Sequence, residues 1–408
     1  MHITIRSFVL VFTCTVFFCG NGLAQDWPQW RGPNRDAKAM GFSAPKAWPE
    51  KLNQKWKVTV GDGVATPALV GDKLFVFTRQ DKDEIIRCLE ASTGKEIWKD
   101  QNEVQGATGP AQRFPGPRSS PTVADGRVIT LGVRGLLNCY DSVSGRKLWT
   151  KDDFKGTLPQ FFTSCSPIVA DGMVVVQLGG ERSGAIVAYD LASGAEKWKW
   201  TSDGTAYSSP VVLSLGGNKI LIAETAKSIV ALTLADGKLL WQTPFVAEQR
   251  GYNAATPIVA GQTVLYTGSR RGTRAVALEK DGDKITVKEL WSNKDNGVQF
   301  NTPVVKDRLV FGISERDALF CLYLKDGVAA WAIPIKGGRG YGSVVDVGEV
   351  LLALTPPGDL IVFAPTDKEF RKLATYKVGE SETYAYPVVA GNRIFVKDKD
   401  SVTLWTVE

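Results

Sequence analysis

One pattern recurs along this chain and constrains its fold more than any other feature. Each copy holds a Ser/Thr-Pro step, a β-run, an Asp-Gly or Gly-Asp turn and a second β-run. A small–apolar–acidic segment, a glycine and a tryptophan follow. The second copy is the clearest. It reads Ser119-Ser120-Pro121-Thr122-Val123-Ala124-Asp125-Gly126-Arg127-Val128, then Asn138-Cys139-Tyr140-Asp141, then Ser144-Gly145-Arg146-Lys147-Leu148-Trp149. The entry prolines are Pro67, Pro121, Pro167, Pro210, Pro257, Pro303 and Pro387, with Ser343 in that place in the seventh copy. Successive entries lie 40 to 54 residues apart. A period of roughly 40–50 residues with four short strands per unit is the signature of a propeller blade. The Asp-Gly turns between Val/Ile/Leu runs read as tight hairpins, and no segment has a helical period.

The copies close on Trp98, Trp149, Trp198, Trp241, Trp291 and Trp331, with Tyr376 in the seventh. Gly94, Gly145, Gly194, Gly237 and Gly327 each stand four residues before their tryptophan. Such a glycine can take positive φ in the last hairpin, which places the tryptophan on the outermost strand. The eighth copy starts at Tyr386 and ends at Glu408 after three strands. Its fourth strand is expected at the other end, residues 52–58, carrying Trp56. Pairing that strand with residues 401–407 closes the ring and removes the open sheet edge. The sequence thus predicts an all-β, eight-bladed β-propeller of four-stranded antiparallel blades, closed by an N-terminal strand. The expected organisation is a signal peptide (1–24), an arm (25–51) and the propeller (52–408), with 52–58 completing the last blade, 386–408.

The signal rests on Arg6, the apolar run Phe8–Cys19 and Gly22-Leu23-Ala24, which suit cleavage after Ala24. The run is too short for a comfortable membrane span. Phe17 and Phe18 are too bulky before Cys19 for a lipidated cysteine. The chain is therefore expected to be exported, periplasmic or extracellular, with no transmembrane segment in the mature form. The single histidine, His2, leaves with the signal. Without imidazole there is no Ser-His-Asp triad, no Cys-His pair and no His-ligated zinc or haem. The formal charge of +6 is mild and no basic run accompanies it, which argues against nucleic acid.

The motif Ala/Cys-x-Asp-x-x-(Ser/Thr)-Gly-x-x-x-Trp resembles the tryptophan-docking motif of the quinoprotein family, the PQQ-like β-propellers (PQQ, pyrroloquinoline quinone). The resemblance covers residues 52–408. The preceding Trp27-Pro28-Gln29-Trp30-Arg31-Gly32-Pro33 also looks like the leader of exported PQQ-like propellers. The resemblance implies that the tryptophans, Trp56 included, wedge between blades far from the axis. The family holds PQQ-dependent alcohol and sugar dehydrogenases and non-enzymatic members, such as the propeller lipoprotein of the outer-membrane β-barrel assembly machinery.

The cysteines fall into this register. Cys88, Cys139 and Cys321 share one repeat position with Ala188, Ala231 and Ala277, and Cys165 aligns with Ser119. A small buried side chain is wanted there, so four free thiols are expected. The Ser/Thr-Pro steps read as strand-entry turns rather than nucleophiles, having no histidine to activate them.

The two faces of the ring differ in charge type. Outer-to-inner connections and middle hairpins open on one face, which carries Arg113, Arg118, Arg134, Arg182, Arg250, Arg270, Arg271, Arg274, Arg316 and Arg339. The opposite turns favour lysine: Lys73, Lys95, Lys147, Lys219 and Lys238. Arginine presents a planar fork suited to carboxylate, phosphate or sulfate. Polar and aromatic residues just before the inner strands form a candidate central funnel: Arg118, Gln160, Tyr207, Tyr252, Asn253, Asn301, Arg339 and Tyr384. The bland alternative is a solvated loop face paired internally to Glu181, Glu224, Glu315 and Asp317.

Three functions are open at this point. The first is an extracytoplasmic binding or scaffold propeller whose funnel takes a protein segment, a glycan or an anionic small molecule, with no cofactor, metal or catalytic residue expected. The second is a PQQ-dependent oxidoreductase holding PQQ with Ca²⁺. The family's dehydrogenases add a vicinal disulfide, carboxylate and amide calcium ligands and an Asp base, which are not visible in this sequence. The third is an outer-membrane protein assembly propeller.

Overall fold

The computed structural model describes residues 26–248, 251–281 and 284–407. The expected signal segment and Arg250 lie outside the described residues. Eight four-stranded antiparallel sheets form a closed ring. Blade 1 begins at Ala68–Val70, blade 2 at Thr122–Ala124, blade 3 at Ile168–Ala170 and blade 4 at Val211–Leu215. Blades 5 to 8 begin at Ile258–Ala260, Val304–Lys306, Ser343–Asp346 and Val388–Ala390. The last blade is completed from the other end of the chain. Asn53–Thr59 pairs antiparallel with Ser401–Thr406, with Trp56 opposite Leu404.

The outer joints repeat one device. Six tryptophans stand on the outermost strands of their blades, and the indole N–H of each donates to a carbonyl of the next blade. Trp56 reaches Ala91 at 3.2 Å, Trp98 Ser142 at 3.3 Å, Trp149 Leu191 at 3.1 Å and Trp198 Leu234 at 2.9 Å. Trp291 reaches Leu324 at 2.7 Å and Trp331 Thr366 at 2.8 Å. Beneath five of these indoles, those of Trp56, Trp98, Trp149, Trp198 and Trp291, lies a glycine of the next blade. A Cβ on Gly194 would lie 2.8 Å from Trp149, and one on Gly237 would lie 2.5 Å from Trp198. Both glycines have φ of 71°, so close approach and left-handed backbone exclude any side chain there. The glycine and tryptophan of one sequence copy therefore serve two different joints.

Across the third and fourth strands the tryptophans face small residues: Cys88 pairs Trp98, Cys139 pairs Trp149 and Cys321 pairs Trp331. In blade 5 the partner of Trp291 is Ala275, and Ala277 stands opposite Lys288. This corrects the expected alignment of Ala277. The hairpin of Gly272–Asp281 and Lys284–Asn293 has ten-residue strands, which shifts the count. It also lacks the docking glycine, and Trp241 packs instead against the core shared by blades 4 and 5. The four cysteines are free and buried. Burial pushes the thiols of Cys88, Cys139 and Cys321 up to about 12 and that of Cys165 up to about 11.

Around the axis runs a second girdle, which explains the Ser/Thr before each entry proline. The amide of Thr66 donates to Ser120 Oγ (3.1 Å), Ser120 to Ser166 Oγ (3.0 Å) and Ser166 to Ser209 Oγ (2.9 Å). Ser209 donates to Thr256 Oγ1 (3.2 Å), and Thr256 to Thr302 Oγ1 (3.0 Å). Blade 7 offers Gly342, whose φ is 136° and where a Cβ would lie 2.6 Å from Ile313. No hydroxyl side chain fits there. Tyr386 of blade 8 fills the gap: Thr302 N donates to its phenol oxygen (3.2 Å), and Tyr386 N donates to Thr66 Oγ1 (2.9 Å). The belt is closed.

The arm plugs the channel inside this belt. Trp27 pairs with Leu69 of blade 1, and Pro28 O accepts from Val123 of blade 2. Arg35 donates to Ser166 O, Pro167 O and Pro210 O of blades 3 and 4. Trp30 Nε1 donates to Thr256 Oγ1 of blade 5 (3.2 Å), and Arg31 Nη2 to Pro303 O of blade 6 (2.6 Å). Ala37 and Ala39 bond Asp346 of blade 7, and Ser43 N donates to Asn392 Oδ1 of blade 8. One segment of chain thus touches every blade.

Candidate functional site

The plug turns the axial channel into a blind cup of about 420 Å³, open on the arginine-bearing face. Its wall is built by the eight blade-to-blade connections, because each one must cross the rim to start the next inner strand. Seven of them contribute an aromatic ring: Phe114, Phe161, Tyr207, Tyr252, Phe300, Tyr341 and Tyr384, with Val64 from the eighth. The rings touch in sequence. Phe161 lies 5.0 Å from Tyr252, Tyr252 5.9 Å from Phe300, and Phe300 stacks on Tyr341 at 4.0 Å. Tyr384 lies 4.9 Å from both Tyr341 and Phe114. Such pairs stabilise one another beyond their buried area and hold the wall in shape.

Below the rings the surface turns polar. Ser166, Ser209, Thr256 and Trp30 make the floor, with Ser164 just above. The cations are Arg113, Arg118 and Arg339, and among the described residues no carboxylate lines the cup. Arg118 is fixed by Phe114 O (2.8 Å) and Ala111 O (3.3 Å), and burial lowers its basicity. Arg113 pairs with Glu382 outside the cup. Arg339 is exposed on the rim, at φ of 51° between two glycines, and its guanidinium has no partner among the described residues. A non-glycine residue in the left-handed region at a rim is held there by its surroundings, here by Gly340 N donating to Asp317 Oδ1 (2.6 Å).

Of the residues anticipated from sequence, the structure brings Arg118, Tyr207, Tyr252, Arg339 and Tyr384 together in the cup. Three lie elsewhere. Gln160 is exposed off the wall, its backbone N–H donating to Glu181 Oε1 (3.3 Å), and its neighbour Phe161 faces the cup instead. Asn253 is buried and clamps Thr225 O (2.8 Å) and Phe245 O (3.0 Å). Asn301 is buried and braces Ile313 O (2.9 Å) and Gly340 O (3.2 Å). Both amides serve the connections rather than the opening. Phe114, Phe161, Phe300 and Tyr341 were missed; for Phe300 and Tyr341 an aromatic close ahead of the inner strand was the available signal.

The face carboxylates are largely committed to hydroxyls and amides. Glu181 accepts from Tyr207 Oη (2.7 Å), Glu315 from Arg270 N (2.8 Å) and Asp317 from Gly340 N. Burial, with Glu181 adding to it, pushes the Tyr207 phenol well above its ordinary range. Tyr384 is pushed up to about 12, chiefly by burial. The cup tyrosines are therefore neutral hydrogen-bonding groups at physiological pH.

These residues do not fit PQQ with Ca²⁺. A calcium ion needs several oxygen ligands, usually with carboxylates among them, and among the described residues the wall supplies no carboxylate. The four cysteines stand in four different blades, so none can form an adjacent pair. Trp30 of the plug holds the floor.

A family model described as outer membrane protein assembly factor BamB matches residues 46–198 and 82–333. The chain is 27% identical over 366 residues to the outer membrane protein assembly factor BamB of Burkholderia pseudomallei (strain K96243), covering 86% of each chain. A stretch of 141 residues is 25% identical to the quinohemoprotein alcohol dehydrogenase of Comamonas testosteroni, covering 34% of this chain and 20% of that one. Among solved structures, BamB from Moraxella catarrhalis superposes with a TM-score of 0.66 at 15% identity, covering 88% of this chain and 98% of that one. The Comamonas testosteroni dehydrogenase superposes with a TM-score of 0.71, also at 15% identity, covering 95% and 81%. At that identity the structural likeness speaks to fold alone.

Proposed function

Since the chain belongs to the family of the outer membrane protein assembly factor BamB, we propose that it is a propeller scaffold serving the assembly of outer membrane proteins. Its place of work would be the periplasmic side of that membrane. Among the described residues no helix is long and apolar enough to cross a membrane. The assembly reading, third in the order the sequence suggested, moves to first. The supporting observation is the cup, with its aromatic wall, cationic rim and hydroxyl-lined floor. Aromatic and arginine side chains are what protein interfaces concentrate at their energetic centres. A protein segment is thus the partner the chemistry favours. The relatives give no support to a glycan or a small anion.

The dehydrogenase reading is carried by likeness of fold and by sequence matches that cover less than half of this chain. It lacks the ligand set described above, and fold alone does not transfer chemistry.

Depletion of the chain from cells that make it tests the proposal. The expected outcome is a fall in folded outer membrane protein, restored by the native chain. A chain carrying Tyr384→Ala and Arg339→Glu on the cup rim should restore it poorly while melting normally. Unchanged outer membrane content on depletion would overturn the reading.

A further inference from the structure

The floor of the cup carries more donor capacity than the fold uses. Ser166 Oγ accepts the amide of Ser120, Ser209 Oγ accepts that of Ser166, and Thr256 Oγ1 accepts that of Ser209. A hydroxyl that accepts still has one O–H to give. None of these three donates to a protein acceptor among the described residues, and all three face the cup. Directly beneath lie two buried guanidinium groups of the plug, Arg31 (0% exposed) and Arg35 (3% exposed). Both are bound to neutral groups, namely Pro303 O for Arg31, and Ser166 O, Pro167 O, Pro210 O and Gln29 Oε1 for Arg35. Neither has an ion-pair partner among the described residues. Asp36 acts on Arg31 from nearby, whereas the groups acting on Arg35 include no carboxylate; positive potential therefore remains at the floor, and in a low-dielectric setting it reaches further than it would in water.

The order of chemistry along the depth is what identifies the occupant. Hydroxyl donors and positive potential lie at the bottom, aromatic rings above them, and an unpaired arginine at the lip. The plug closes the far end, so nothing threads through. An acidic residue in mid-chain would have to bring two flanking backbone segments down the shaft with it. A chain end brings one. We propose that the cup captures the C-terminal end of a partner chain. Its terminal carboxylate sits on Ser166, Ser209 and Thr256, and its last aromatic or large apolar side chain lies against Tyr252 and Phe300. Capture of a terminal carboxylate is an established mode of peptide recognition. A cup of about 420 Å³ lies at the small end of ligand sites of roughly 300–1,000 Å³. The inference rests on reading the chain as a partner-binding assembly factor and names what the cup grips.

The test uses the purified chain and a fluorescein-labelled octapeptide ending in phenylalanine with a free carboxylate. Fluorescence polarisation should show saturable binding. The same peptide as its C-terminal amide should bind at least tenfold more weakly, as should one ending in glycine. Tyr252→Ala, with an unchanged melting temperature, should weaken the acid by a similar factor. A second peptide with benzoylphenylalanine in last place should cross-link to segments holding Trp30, Tyr252 or Phe300. Equal affinity for acid and amide would overturn the proposal, as would cross-links outside the cup. Displacement by equimolar hydrocinnamate would also overturn it, by assigning the cup to small aromatic acids. Failure here, with depletion still lowering outer membrane protein, would leave the assembly role standing and place the grip elsewhere.

Discussion

The ring is held by two girdles that solve the same problem in different ways. At the rim, an indole from one blade covers a glycine and bonds a carbonyl of the next, as Trp149 does over Gly194 and onto Leu191. At the axis, an amide of one blade bonds a hydroxyl of the next, as Ser120 does onto Ser166. The rim joint is large, apolar and replaceable in part: Trp241 packs without a docking glycine, and Tyr376 reaches out of blade 7 to Pro49 O (2.9 Å). The axial joint is small, polar and continuous, and where blade 7 cannot supply a hydroxyl a longer residue bridges the gap. Apolar packing tolerates local substitution by volume, whereas a buried amide needs an acceptor in place.

The largest expected effect lies at the rim. Trp149→Ala removes a side chain wedged between blades 2 and 3 and leaves a cavity over Gly194. The expected cost is about 3–5 kcal/mol, read as a fall in denaturant midpoint. Trp241→Ala, at a joint without a docking glycine, should cost clearly less. Equal losses at the two sites would show that the glycine contact contributes little.

An intermediate effect sits between the girdles. Glu84 is buried against blade 2, its Oε1 accepting Val133 N (2.9 Å). Burial raises its pKa to about 7, against the pull of the Val133 amide and of Arg79, Arg118 and Arg134. The folded state therefore holds a proton that the unfolded chain has released once pH exceeds about 4.5. Stability should fall as pH rises from about 4.5 to about 7, and the penalty is complete above that. Glu84→Gln keeps the acceptor and removes the charge. It should stabilise the fold by about 1–2 kcal/mol at pH 8 and by little at pH 4. Thermal melts at the two pH values decide it, and a gain independent of pH would reject this account.

The rim was legible in the sequence and the axis was only half so. Trp98, Trp149 and Trp198 announce themselves by a fixed spacing from a glycine, since one strand and one hairpin set both positions. Tyr207, Tyr252 and Tyr384 could be placed for the same reason, each just ahead of an inner strand. Phe114 and Phe161 could not, because they project from long connections whose path the spacing does not determine. Asn253 and Asn301 carry funnel-like chemistry in funnel-like positions, yet turn inward to carbonyls that only the folded connections bring near. The plug was hidden for a related reason. In sequence Arg31 and Arg35 are two charges in a short arm, and only the ring supplies the carbonyls of Pro303, Ser166, Pro167 and Pro210 that they bond.

The smallest expected effects separate the belt from its one gap. Ser120→Ala deletes the acceptor of Thr66 N, in a position where both residues are buried. Leaving that amide without a partner should cost about 1–2 kcal/mol. Ser343 looks like the same kind of residue, a buried serine at the entry to an inner strand. Its hydroxyl, however, has no partner among the described residues, because the belt runs from Thr302 to Tyr386 and passes blade 7 by. Ser343→Ala removes a buried polar group that bonds nothing, so it should be neutral or stabilise by a few tenths of a kcal/mol. Tyr386→Phe completes the set. It keeps the ring and removes the bridging oxygen, which strands Thr302 N. Its cost should match that of Ser120→Ala. If Ser343→Ala costs as much as Ser120→Ala while Tyr386→Phe costs nothing, the belt does not close through Tyr386, and blade 7 contributes its own hydroxyl.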